Sequence, residues 1–502
     1  MIYGPELVSG SFVFTRTGSA TGNAKTSAIS QITAFVRFYF SRPMLKKDVF
    51  RLIRSSFLTI SFLFFAGTQV QGQVELSGRS LRQLQTLVEF SEVFKPGHTG
   101  FALYDLDYRT YLYGYNADRL FVPASNVKLL TFYLANRLLG QRAPGLFYQE
   151  YTDHLEVWGS GYPLLMHPTF YGLDEVGPWI ASQTKPIVLH FPPEGPDAVP
   201  RYGAGWSWDD YNDGYVYERS TLPVYGNRLF LNLSAVDAEG RQVLLGAPVS
   251  IAGNLRENPL QRAHLRRSEF GNDFTVSPDF MTAASFPLQR PLKLSAQLIS
   301  NEIAAAHPHQ RFSTGQAPYP EGHTLNALEV SLPDTVFRKL LWDSDNFLAE
   351  QLLLQAAASR YVKPDVKALL QYARDTLLPP LGIEGFRWVD GSGLSRYNLM
   401  TPRQMTRLVM GLDDEVGRDR LLTLLPRGGV SGTLINRFND KQKPYVWAKT
   451  GSLSGVVCVS GLLRTKKGKW LAFSFMHNNH VTRGSAYYDE MGKTLGWCFE
   501  NL

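Results

Sequence analysis

Cysteine is nearly missing from this chain: two residues, Cys458 and Cys498, among 502. That excludes a disulfide-stapled scaffold and any zinc site built on paired thiolates. One bridge would suit an exported chain. However, Cys458 lies in the apolar run 456–459, where a buried thiol is the simpler expectation. Long apolar runs are missing too: the longest apolar-biased stretch, 57–67, has eleven residues, too few to span a bilayer. An excess of positive charge is lacking over most of the chain. The net charge of +7 is concentrated in residues 1–72, with eight Lys/Arg against two Asp/Glu, and the rest holds 43 against 42. No nucleic-acid face follows from that balance. No Gly-x-Ser-x-Gly elbow occurs, which argues against an α/β-hydrolase. His307-Pro-His309 and His477-Asn-Asn-His480 lack a supporting third ligand, so no metal is expected. Internal repeats and low-complexity tracts are likewise missing.

What is present begins with a leader. Residues 44–54 carry a basic n-region, 57–67 an apolar h-region, and cleavage is expected after about Gly72. Residues 1–43 then read as sequence upstream of the true start, with Met44 the initiator. The rest is long enough for two or three domains. The pattern predicts a helix over 81–93, strands over 99–104 and 110–115, and a buried helix from Ser125 to Leu139 along Val127, Leu130, Leu134 and Leu138. From 146 to 290 the composition turns aromatic, with many Gly, Pro and Asp, as in a mostly β insertion. Helical periodicity returns at 292–306, 334–341, 347–359, 366–378 and 402–412. Three strands (445–452, 456–463, 470–476) and a helix over 485–499 close the chain. The fold class expected is α+β: an antiparallel sheet flanked by helices beside a helical cluster, assembled from 73–145 and 291–502 around the insertion at 146–290.

Three motifs carry the chemistry: Ser125-Asn126-Val127-Lys128, Ser344-Asp345-Asn346 and Lys449-Thr450-Gly451. Roughly one or two Ser-x-x-Lys matches arise by chance in a chain this long, but all three in this order form a strong signal. A serine hydroxyl needs a base within hydrogen-bond reach. The i, i+3 spacing at a helix start puts Lys128 on the face of Ser125. Lys128 serves as base only when neutral, which burial and a second cation, Lys449, would favour. Lys449-Thr450-Gly451 follows an alternating strand whose edge can align a peptide. There Gly451 permits close approach, and the hydroxyls of Thr450 and Ser452 beside Lys449 suit a terminal carboxylate. The plainer alternatives are a serine N-cap at 125, an Asx-type cap at 344–346 and a surface hairpin at 449–451.

The surrounding segments extend the match: Pro123-Ala-Ser-Asn-Val-Lys-Leu-Leu130, Ser344-Asp-Asn-Phe-Leu-Ala-Glu350, Asp390-Gly-Ser-Gly-Leu-Ser395, Gly429-Val-Ser-Gly-Thr-Leu434 and Trp447-Ala-Lys-Thr-Gly-Ser452. The chain resembles the D-alanyl-D-alanine carboxypeptidases of peptidase family S13, from about residue 80 to the end and thinly between 146 and 290. The resemblance implies a penicillin-binding protein/β-lactamase-like fold and a secreted, periplasmic or extracellular enzyme. Its partners would be peptidoglycan stem peptides and β-lactams, and DD-endopeptidase cleavage would be a second use of the same chemistry. By that resemblance Ser125 is nucleophile, Lys128 base, Ser344 proton shuttle and Asn346 the holder of substrate amide and lysine, with Asp345 pointing away. The N–H of Ser452 would be the second oxyanion donor. A Ser–Lys mechanism needs no cofactor.

Within Trp206-Ser-Trp-Asp-Asp210, Asp210 is a candidate for the amine of a diamino acid, with Asp209 the alternative register; the plainer reading is a turn packed by its two tryptophans. Gly161-Tyr162-Pro163 departs from the family's Gly-Asp-Pro, which leaves the details of the insertion open. Two rivals remain. A β-lactamase would take Glu350, Glu384 or Glu415 to activate water, and none is followed by the asparagine of that motif. A sensor would keep the fold without turnover.

Overall fold

The computed structural model describes residues 76–191, 198–235, 240, 242–320, 325–438 and 444–502. The leader expected over 44–72 and the sequence before it lie outside these residues.

Helix α1 (Gly78–Val88) opens the chain, capped by the Ser77 hydroxyl. Strands β1 (His98–Asp105) and β2 (Thr110–Tyr115) follow. A 3-10 turn, Ala124–Val127, leads into α2 (Lys128–Leu139). The next strands are β3 (Arg142–Glu150), β4 (Leu155–Gly159), β5 (Ile187–His190), β6 (Arg228–Leu233) and β7 (Leu244–Ala247). After them come β8 (Arg256–Glu257), β9 (Leu265–Arg267), β10 (Phe274–Val276) and β11 (Leu288–Pro291). Helix α3 (Ala296–Ala306), β12 (Phe312–Gly315) and β13 (Asn326–Ser331) precede a helical run. That run comprises α4 (Asp334–Trp342), α5 (Asn346–Tyr361), α6 (Val366–Tyr372), α7 (Pro402–Val416) and α8 (Arg418–Leu424). Strands β14 (Val446–Leu453), β15 (Val456–Arg464) and β16 (Trp470–Asn478), then α9 (Gly484–Asn501), end it.

One antiparallel sheet has the order β14-β15-β16-β1-β2, so strands from 98–115 and 446–478 meet in it and β14 is an edge. Strands β1, β15 and β16 are buried almost end to end because helices cover both faces, whereas β2 at the edge is only partly buried. Phe101, Leu103, Phe473 and Phe475 pack with α1 and α9, while Tyr104, Cys458, Leu462 and Met476 join the core that holds α2, α5 and α7. Cys458 and Cys498 are both buried and unpaired.

Helix α5 shows why a helical cluster stands beside the sheet. Asp345 caps it, accepting from the Leu348 N–H at 3.0 Å, and every residue from Asn346 to Ala358 is buried. A helix buried all round is a core element rather than a surface one. Helix α2, expected to bury one stripe, also buries Leu129, Phe132 and Tyr133 outside that stripe and lies against α5.

The second large sheet has the order β12-β5-β4-β3-β13. Strands β12 and β13 therefore finish a sheet begun at Arg142, although the sequence places them in the helical part after 291. Four and six residues with mixed exposure leave too little alternation to reveal them. Helix α3 starts at Ala296, since 288–291 forms β11 against β6. Residues 373–377 wind as a π-type turn after α6, and α8 was not foreseen. Among the described residues no helix is long and apolar enough to cross a membrane.

Candidate active site

The cleft gathers four segments that the sequence keeps far apart. Ser125 sits in the 3-10 turn ahead of α2, not inside an α-helix as expected, and its hydroxyl caps nothing. It is half-buried within an otherwise buried turn. The turn is held from below: the Asn126 side-chain amide donates to the Lys449 carbonyl at 3.1 Å.

Lys128 is fully buried. Its Nζ donates to Ser125 Oγ at 2.9 Å, Asn346 Oδ1 at 2.5 Å and the Ser392 carbonyl at 2.6 Å. The three contacts match the three protons of the ammonium; in the neutral amine two N–H groups keep Asn346 and Ser392 and the lone pair faces Ser125 Oγ. Burial lowers its pKa to about 7, against the pull of Asp390, Glu350 and Asp345. Lys449 is fully buried as well, with Nζ on Ser344 Oγ at 2.9 Å and the Thr450 carbonyl at 2.6 Å. Burial first, and then the charge of Lys128, holds its pKa well below that of a free lysine. The expectation that the Lys449 charge lowers the Lys128 pKa is met only for burial: burial is the cause of the Lys128 shift, and the repulsion between the two lysines is felt at Lys449.

In Ser344-Asp345-Asn346 the capping reading and the functional one hold together. Asp345 caps α5 and turns away from the cleft to Arg228, paired through two contacts of 3.2 Å. Asn346 spends its carbonyl on Lys128 and donates its amide to the Tyr215 carbonyl at 2.7 Å. Ser344 is half-buried with φ of +58°, a left-handed conformation that a non-glycine residue adopts only when neighbours hold it.

Gly451 lies over the Ser125 turn. A Cβ there would stand 2.6 Å from the Pro123 carbonyl and 3.0–3.1 Å from Asn126 atoms. Thr450 Oγ1 donates to Thr433 Oγ1 at 2.8 Å, so Thr433 belongs with the site. On β14 the Ala448 N–H points outward to the Pro426 carbonyl. The two-residue period of a strand places the N–H of Thr450 and of Ser452 on the same outer edge, beside Ser125. Ser452 is exposed there.

Residues 390–395 carry a role the sequence left unassigned. The Asp390 carboxylate accepts from the Gly393 and Ser395 N–H groups at 3.0 and 2.7 Å, from Asn398 at 2.6 Å and from the Trp206 indole at 2.8 Å. The loop so shaped offers the Ser392 carbonyl to Lys128. Gly393, at φ of +84°, rests on the Ala124 carbonyl, where a Cβ would come within 2.0 Å. The motif was visible in the sequence, but a main-chain carbonyl has no residue code.

Asp210 lies on a 3-10 turn, Trp208–Asn212, and is half-buried; burial raises its carboxyl above the usual range. Asp209 is exposed. The packing expected of the two tryptophans is divided: Trp206 reaches Asp390, whereas Trp208 is 73% exposed. Glu350 accepts from the Ser392 N–H at 2.7 Å and pairs with Arg219 at 2.6 and 2.8 Å, which leaves it occupied. Among the described residues no cluster of His, Cys, Asp or Glu could hold a metal ion.

This geometry places a half-buried serine hydroxyl against a buried lysine, with a second buried lysine on a serine beside it. The chain belongs to the D-Ala-D-Ala carboxypeptidase 3 (S13) family, whose model matches residues 198–495. That match begins after Ser125 and Lys128, so their pairing rests on the contacts given above. The D-alanyl-D-alanine carboxypeptidase DacB of Haemophilus influenzae is 32% identical over 300 residues, 56% of this chain and 62% of that protein. The penicillin-sensitive carboxypeptidase A of Dictyostelium discoideum is 31% identical over 182 residues, 34% of each chain. These alignments span less than two thirds of either relative. The crystal structure of penicillin binding protein 4 (dacB) from Haemophilus influenzae shares the fold, with a TM-score of 0.62 at 19% identity over 84% of this chain and 99% of that one.

Proposed function

We propose that the protein is a serine-type D-Ala-D-Ala carboxypeptidase acting on peptidoglycan stem peptides, with cleavage of D-Ala cross-links as a second use of the same site. The observation that carries this reading is the Lys128 Nζ, 2.9 Å from Ser125 Oγ and locked there by Asn346 and Ser392. Ser125 attacks the carbonyl carbon of the penultimate D-Ala as neutral Lys128 takes its proton. The oxyanion forms between the N–H groups of Ser125 and Ser452, the latter on the free edge of β14. The C–N bond then breaks. Ser344, held by Lys449, passes a proton to the departing D-Ala amine, and water later hydrolyses the Ser125 ester. Thr450, Ser452 and Lys449 receive the terminal carboxylate. Gly451 lets the peptide and the Ser125 turn approach β14. Asp210 reads an amine on the third residue of the stem peptide.

A β-lactam mimics the acyl-D-Ala-D-Ala terminus and would be held as an ester on the same serine. Occupied Glu350 is unsuited to activate the deacylating water, which disfavours a β-lactamase. Residues 44–72 as a signal peptide would deliver the enzyme to the periplasm or the exterior, where its substrate lies. The test is D-Ala release from a pentapeptide together with the mass of the protein after benzylpenicillin. Ser125→Ala is expected to lower both by more than ~10³-fold. A mutant that keeps a tenth of wild-type activity would end the proposal.

A further inference from the structure

We propose that Arg219 and Glu350 act as a buried positioning pair that sets both the place and the charge state of Lys128 from behind. This deepens the reading of Lys128 as the base and rests on it.

The chain of contacts is short. Lys128 Nζ donates to the Ser392 carbonyl at 2.6 Å, and the N–H of the same Ser392 donates to Glu350 Oε1 at 2.7 Å. The other oxygen, Glu350 Oε2, takes Arg219 Nε at 2.8 Å and Nη2 at 2.6 Å. Arg219 and Glu350 side chains are 6% and 3% exposed. A buried charge pair of this kind is weak evidence for stability, because hydrophobic replacements often serve as well. Its retention beside a reacting group calls for another explanation. Arg219 also lies over the Trp206 ring at 5.3 Å, and Trp206 donates to Asp390, which shapes the other end of the Ser392 loop. Both ends of the loop that holds Lys128 are therefore anchored to 206–219, a segment of the insertion.

The charges around Lys128 come from every element packed on it. Helix α5 contributes Asp345, balanced by Arg228, and Glu350, balanced by Arg219. The 390–395 loop contributes Asp390, held by neutral donors, and β14 contributes Lys449. Of the two carboxylates on α5, Glu350 is the one that also accepts from the Ser392 N–H, and its balance rests on Arg219. Its negative charge favours protonated Lys128. Withdrawing Glu350 therefore favours neutral Lys128, and withdrawing Arg219 favours the ammonium. A merely structural pair would weaken activity in both variants and move the titration in neither.

The experiment follows Lys128 by its 13Cε resonance, identified by its loss in Lys128→Gln, alongside the pH dependence of acylation by benzylpenicillin. Glu350→Gln is expected to lower the Lys128 midpoint and Arg219→Gln to raise it, each by about one unit. At pH 6 acylation then changes in opposite directions, about fivefold faster in Glu350→Gln and about ninefold slower in Arg219→Gln. The double variant returns towards wild type. Midpoints that stay within about 0.3 unit, or that move the same way, overturn the proposal. Opposite shifts of the resonance with an unmoved acylation profile uphold the coupling and overturn Lys128 as base. Should Arg219→Gln fail to fold, Arg219→Lys, which keeps the charge, must match wild type while Glu350→Gln still lowers the midpoint; any other pattern sinks it.

Discussion

Replacing Gly451 by alanine is the smallest change that tests the cleft's construction. The added methyl would stand 2.6 Å from the Pro123 carbonyl, about 0.8 Å short of the 3.4 Å at which contact becomes ordinary. Asn126 atoms at 3.0 and 3.1 Å close the other side. One of these, like Pro123 O, is main chain, so no flexible side chain can swing aside. Either β14 or the 124–127 turn must move by several tenths of an ångström. Overpacking of this size costs about 1–3 kcal/mol of stability, which a folded domain of this size can tolerate. Catalysis is less forgiving, because a displacement near 1 Å costs on the order of 10²-fold in rate. The expected outcome is a thermal midpoint lowered by a few degrees and acylation by benzylpenicillin slowed ~10–100-fold, followed as adduct mass against time. Acylation within about threefold of wild type would refute the reasoning, since the serine turn would then not be held by contact with β14.

Three further outcomes follow from the same contacts. Acylation should rise with pH through about 7, since the reactive form of Lys128 is the neutral one and burial lowers its pKa to that value; stopped-flow acylation between pH 5 and 9 measures it, and a flat profile would remove Lys128 as the base. Arg228→Met leaves the buried Asp345 carboxylate unpaired, so the unfolding free energy should fall by about 3–5 kcal/mol in urea titration, and a loss under ~1 kcal/mol would contradict the pairing. Asp210→Asn should lower kcat/KM about tenfold for a stem peptide with a free amine on its third residue and leave a neutral analogue nearly unchanged; equal losses on both would remove the amine contact.

Much of this was legible in the sequence, and the reason is chemical. The roles proposed for Ser125, Lys128, Ser344, Asn346 and Lys449 belong to their own side chains at fixed local spacings, and local spacing is what a sequence displays. Strands β1, β2, β14, β15 and β16 alternate or run apolar over six to nine residues, long enough to declare themselves. Asp345 advertises itself as a cap. Its other partner, Arg228, lies 117 residues away, and Glu350 is 131 residues from Arg219. Pairings at such separations leave no local pattern. The Ser392 carbonyl is hidden more deeply still: any residue in that place has one, and only the fold of the 390–395 loop says where it points.

Two residues beside the chemistry, Ala124 and Ser344, sit at φ of +48° and +58°. Neither is glycine, and each such conformation costs of order 1 kcal/mol unless its surroundings impose it. Here the surroundings are identifiable. The Ala124 carbonyl is pinned beneath Gly393, and Ser344 is held between Lys449 on one side and the Asp345–Arg228 pair on the other. Gly393 belongs to the loop shaped by Asp390 and Trp206, and Arg228 begins β6. Both strained positions thus draw support from residues 206–228 as well as from the sheet and helices that carry the three motifs. A chain trimmed of that stretch would keep all three motifs in order and lose what bends them towards one another. Residues 206–228 therefore support the candidate site, in keeping with one compact unit among the described residues from 76 onward.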